Sequence, residues 1–116
     1  MSKFRLFASI AVATVLASGH VDAFAADVAK GKTAYVKHGC WQCHGFVGQG
    51  GITGPKLAPE PIPLPAMNAF LRNTNGAMPP YMEAVLSNAD LADIHAYLQS
   101  IPKAADYKSI PLLNQP

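Results

Sequence analysis

Residues 39–46 read Gly-Cys-Trp-Gln-Cys-His-Gly-Phe and hold the only two cysteines of the 116-residue chain. Two thiols three positions apart, with an imidazole directly after the second, support four kinds of chemistry. A dithiol oxidoreductase uses C-x-x-C where a strand runs into a helix within a βαβ pattern, and no such strand is legible here. A tetrahedral zinc site needs four ligands; beyond Cys40, Cys43 and His44 only His38 and His95 are at hand, and His44 has little freedom to chelate beside Cys43. A disulfide between the pair closes too small a loop to restrain the unfolded chain much, and it leaves His44 without a role.

The fourth possibility is covalent attachment of haem, for which C-x-x-C-H is the known spacing. Residues i and i+3 of a helical turn point to one side. Cys40 and Cys43 can therefore both form thioethers with the porphyrin vinyl groups while His44 turns its imidazole to the iron. All three residues are then accounted for. The second axial ligand is sought among the methionines, because a Met/His pair is an electron-transfer arrangement that raises the reduction potential. Met67 and Met82 fall on helical turns, where filling a core explains them. Met78 precedes Pro79 and Pro80, which hold its backbone extended and leave its thioether free to project inward. The chain between His44 and Met78 is long enough to pass round a porphyrin edge. An open sixth position, as in a haem-based sensor or catalyst, is the alternative.

These residues need elements to place them. Asp27 can cap a helix that runs through Val36 and stops near Gly39, with Val28, Gly31, Lys32 and Tyr35 on one face, leading straight into the cysteines. From Gly45 to Pro65 glycines give way to prolines, and no helix or central strand survives that spacing. A loop this long in so small a domain more often wraps something than merely links. Residues 66–73 are expected to form a short helix with Met67, Phe70 and Leu71 inward. Residues 75–81 are forced out of helix, and 82–86 return to one or two helical turns. Ser87 opens the clearest helix, with Asp90 completing a capping box, Leu91, Ile94, Leu98 and Ile101 as the apolar stripe, and Pro102 as the stop. The chain is therefore read as all-α, its last helix packed on its first.

Residues 1–25 read as a secretory signal peptide. Lys3 and Arg5 give a positive start, 6–17 is an apolar run, and Ala23-Phe24-Ala25 is a small-x-small cleavage site. The run is shorter than the about 20 residues that span a bilayer, so no permanent membrane anchor is expected. Residues 26–116 then form one domain near the size at which an apolar core alone suffices. A formal net charge of +2, without a basic stripe, speaks against a nucleic-acid partner.

Taken together, the sequence resembles the small class I c-type cytochromes of bacterial periplasms. The resemblance rests on Gly31 and Tyr35, C-W-Q-C-H-G at 40–45, Gly54-Pro55, M-P-P-Y at 78–81 and LSNADLADIHAYLQSIP at 86–102. It implies a cytochrome c fold: all-α, about four short helices around one covalently bound haem c, with a long Gly/Pro-rich loop. It implies Cys40 and Cys43 as tethers, His44 and Met78 as axial ligands, and periplasmic one-electron transfer rather than catalysis. Redox partner proteins are implied with it, a dehydrogenase as donor and an oxidase or another cytochrome as acceptor, with this chain a free carrier or the cytochrome subunit of a dehydrogenase. The resemblance further implies that Gly31 lets the first helix cross closely against the last near Tyr97. It also implies that the Pro55 carbonyl accepts a hydrogen bond from the free nitrogen of His44. Arg72 and Tyr81 are expected to reach haem propionates, Trp41 to pack by the haem edge, and His38 and His95 to be exposed bystanders.

Overall fold

A computed structural model describes residues 25–114, with α1 at Val28–Lys37, α2 at Trp41–His44, α3 at Leu64–Arg72 and α4 at Asn88–Ser100. There is no strand among the described residues, and the fold is all-α as expected. The signal peptide expected at 1–25 lies, but for Ala25, outside the described residues. No helix among those described is long and apolar enough to cross a membrane.

Asp27 starts α1 by accepting from the amides of Ala29 at 2.8 Å and Lys30 at 3.0 Å, two donors that a helix start otherwise leaves free. The Lys30 amide bond is the main reason that the Asp27 carboxyl is held below its ordinary range. The helix ends at Gly39, whose φ of +76° suits a residue without a Cβ. There the Gly39 amide bonds to the Val36 carbonyl at 3.1 Å and the Cys40 amide to the Tyr35 carbonyl at 3.2 Å. This paired closure reverses the chain and delivers Cys40 directly into α2.

Packing of α1 on α4 is the main helix contact. A Cβ on Gly31 would collide with the Asp93 carbonyl oxygen and lie 2.9 Å from the Tyr97 Cβ, so the two backbones touch where the sequence placed the crossing. The Asp27 amide donates to Asp93 Oδ1 at 2.7 Å and fastens the same corner. The buried face of α1 is Gly31, Ala34 and Tyr35. Val28 and Lys32, expected on that face, are exposed, because a crossing centred on Gly31 covers the positions three and four residues beyond it.

Helix α3 begins two residues earlier than expected, with Pro65 in its first turn, where a missing amide is no loss. Met67 and Leu71 are buried, but Phe70 is 56% exposed. The contact of α3 with α4 is much smaller than that of α1 with α4. The stretch after Tyr81 makes a single turn, in which Val85 and Leu86 donate to the Met82 carbonyl at 2.9 and 3.0 Å. That turn buries Leu86 and leaves Met82 65% exposed, so Met82 does not fill the core as expected. Helix α4 is capped by Ser87, whose Oγ accepts from the Asp90 amide at 3.0 Å, and it buries Leu91, Ile94, Tyr97 and Leu98. Beyond it lie two exposed 3-10 turns, Tyr107–Ser109 and Pro111–Leu113.

Gly31→Val should lower unfolding free energy by about 1–3 kcal/mol through forced separation of the two helices. Ser87→Ala should lower it by about 1 kcal/mol through loss of the cap. Denaturant unfolding of the matured protein measures both.

Candidate haem site

Cys40 to His44 form one helical turn, closed by the His44 amide on the Cys40 carbonyl and the Gly45 amide on the Trp41 carbonyl, both at 3.0 Å. Two tyrosines from the α1–α4 pair hold the exit of that turn. Tyr35 donates to the Gly45 carbonyl at 2.8 Å and Tyr97 to the Phe46 carbonyl at 3.2 Å, with their rings 5.6 Å apart. Burial raises the pKa of both hydroxyls, which keeps them neutral donors.

His44 is buried, at 6% exposure, and its Nδ1 lies 2.8 Å from the Pro55 carbonyl. A carbonyl can only accept, so Nδ1 carries the hydrogen and Nε2 is left with the lone pair that a metal requires. The Gly/Pro-rich loop is shaped to supply that carbonyl. Gly50 donates to the His44 carbonyl at 2.8 Å, Gly51 to that of Gly54 at 3.0 Å, and Leu57 and Ala58 to that of Gly48 at 2.8 and 2.9 Å. Gly54 passes so close that a Cβ there would sit 2.7 Å from the Cys43 carbonyl oxygen and 3.0 Å from His44 Nδ1. The loop therefore wraps the imidazole, as its length suggested.

Both cysteines are free thiols, Cys40 half-buried and Cys43 exposed. Burial pushes the Cys40 thiol up to about 11, the opposite of the depression that makes a reactive thiolate in a dithiol oxidoreductase. Among the described residues no three His, Cys, Asp or Glu side chains come together in a group that could hold a metal ion.

Met78 is half-buried and borders the same apolar core as Cys40, Trp41, Leu57, Leu64 and Tyr81. Its carbonyl accepts from Thr74 Oγ1 at 2.7 Å. Arg72 and Tyr81, expected at haem propionates, also have partners within the chain. Arg72 donates to the Tyr81 carbonyl at 2.7 Å and to Asn88 Oδ1 at 2.9 Å, and the Tyr81 hydroxyl donates to the His38 carbonyl at 2.9 Å. Trp41 stacks on Phe46 with centroids 4.9 Å apart. Neither His38 nor His95 is an exposed bystander. His95 Nε2 lies 3.1 Å from the Ile62 carbonyl, and His38 has its Nε2 buried without a partner. Thr74 and the His38 carbonyl were not foreseen, because a hydrogen bond to a backbone oxygen has no residue-type signature at the accepting end.

A family model described as cytochrome c oxidase, cbb3-type, subunit III matches residues 26–98. The chain belongs to this family of c-type cytochromes. No curated protein and no solved structure gives a significant match. Membership carries haem-based electron transfer and a covalently bound haem. The residues present fit that group: two unpaired thiols on one helical turn, and a buried imidazole with its free nitrogen fixed by the tautomer.

A Cys40→Ala/Cys43→Ala variant should lose covalent haem. Intact mass of the matured wild-type chain should exceed the processed polypeptide by one haem, and the double variant should show the polypeptide mass alone.

Proposed function

We propose that this cytochrome is an exported, periplasmic one-electron carrier. In this reading a single haem c is tethered by Cys40 and Cys43 and ligated by His44 and Met78. The observation that carries it is the His44–Pro55 hydrogen bond, which presents Nε2 on the turn that bears both tethers. A bound haem of this kind supplies one-electron exchange at iron between its ferric and ferrous states.

The protein's own residues restrict what else can happen. Pro55 fixes the imidazole plane and strengthens it as a donor, as such outer partners do at metal sites. The proline pair after Met78 holds the thioether's backbone extended, so the ligand on that side is offered without a helix to unwind. Ligands held rigidly on both faces leave little to rearrange when an electron arrives. With a small net charge, docking to redox partners should depend only modestly on salt.

On the donor side we place a periplasmic dehydrogenase, and on the acceptor side a terminal oxidase or another cytochrome. The description of the matched family, an oxidase subunit, supports the oxidase end. The signal-peptide pattern read at residues 1–25 supports export. A haem-based sensor or catalyst would share the tethers and His44 and differ in having no role for Met78.

Met78→Ala separates the two. A carrier should lose the weak sulfur-to-iron absorption at the red edge of its ferric spectrum and gain carbon monoxide binding when reduced. Unchanged spectra and unchanged carbon monoxide affinity would instead establish an open sixth position in the wild type.

A further inference from the structure

We infer that Tyr81 is the positioning residue for the thioether of Met78, holding the segment 74–81 closed by fastening it to the segment that carries the haem tethers. The inference rests on the proposed His44/Met78 ligation and names what keeps the methionine in place.

Neither Pro79 nor Pro80 has an amide hydrogen, so the chain after Met78 offers no backbone donor before Tyr81. Tyr81 is therefore the first downstream residue able to donate, and it uses every polar group it has. Its amide donates to the Leu71 carbonyl at 2.8 Å, its carbonyl accepts from Arg72 at 2.7 Å, and its hydroxyl donates to the His38 carbonyl at 2.9 Å. The first two bonds tie it to α3. The third reaches across to the residue two before Cys40, joining the distal segment to the proximal one. Upstream, Thr74 Oγ1 holds the Met78 carbonyl at 2.7 Å. The guanidinium that accompanies Tyr81 is itself braced. Arg72 shares Asn88 Oδ1 with Asn68, at 2.9 and 2.7 Å, and Asn88 donates onward to Glu83 at 2.7 Å.

A stiff Pro-Pro link transmits the position of Tyr81 to Met78, since both φ angles are locked. Removing the hydroxyl deletes only the cross-link to His38 and leaves the α3 bonds intact. The segment should then open more readily, and the iron should accept an outside ligand in place of sulfur. One intramolecular hydrogen bond corresponds to roughly a five- to tenfold change in that opening equilibrium.

The test is competition of free imidazole against Met78 in the matured ferric protein, followed by loss of the red-edge absorption. Tyr81→Phe should keep the absorption at neutral pH and shift the imidazole midpoint about five- to tenfold lower. Thr74→Val should shift it in the same direction and serves if Tyr81→Phe does not mature. Ser100→Ala, which removes a hydroxyl bonded to the Tyr97 carbonyl at the end of α4, is the structural control and should leave the midpoint unmoved. A midpoint for Tyr81→Phe equal to wild type, or shifted no more than that of Ser100→Ala, would overturn the inference. Failure of the ligation itself looks different: the wild type would show no red-edge absorption, and Met78→Ala would bind imidazole no more readily than wild type.

Discussion

The absence of a side chain at Gly31 allows the backbone of α1 to rest directly on α4 at Asp93 and Tyr97. The hold on the exit of the Cys40–His44 turn follows from that contact. With the helices this close, Tyr35 and Tyr97 lie side by side, and their hydroxyls land on successive carbonyls, Gly45 and Phe46, where the chain leaves the turn. The closure at Gly39 then brings Cys40 in at the other end. The turn is thus clamped at its start by the end of α1 and at its finish by the crossing itself.

Within that clamp the imidazole of His44 has one remaining freedom, rotation about its own side-chain bonds, and the Pro55 carbonyl removes it. A loop rich in glycine and proline is suited to this task. Glycines allow the backbone to approach the ring and the Cys43 carbonyl, and prolines reduce the number of conformations the loop gives up when it settles. The same hydrogen bond decides the tautomer, so the orientation of the ring and the nitrogen that keeps a lone pair both follow from a single acceptor.

The methionine segment, residues 74–81, is held by side chains rather than by helix. Thr74, Arg72 and Tyr81 supply its bonds, and two of the three acceptors involved, the carbonyls of His38 and Met78, belong to residues with no reason in their side chains to be chosen. The apolar core beneath is small, and Met78, Cys40 and Tyr81 all border it. A covalently held porphyrin gives so small a domain added apolar contact, where other small folds rely on the cross-links of disulfides or the ligand bonds of metals.

Much of this was legible from consecutive residues. Spacing singled out Cys40, Cys43 and His44 as the candidate site and the structure sets them on one turn, while α1 and α4 were marked by Asp27 and Ser87 as caps and by Gly39 and Pro102 as stops, and the loop by its prolines. These features act over one or two turns of chain, so neighbouring residue types determine them. The faces of α1 and α3 were read less well. Val28, Lys32 and Phe70 satisfy a helical period, yet whether a periodic position is covered depends on where the partner helix crosses and how broad the contact is. The exposed Met82 and the inward-turned Arg72, Tyr81, His38 and His95 were likewise decided by distant parts of the chain. Their partners are backbone carbonyls 9 to 43 residues away for Arg72, Tyr81 and His95. Every residue carries such a carbonyl, so residue types specify that a donor needs a partner, and only the folded path of the chain selects which oxygen it meets.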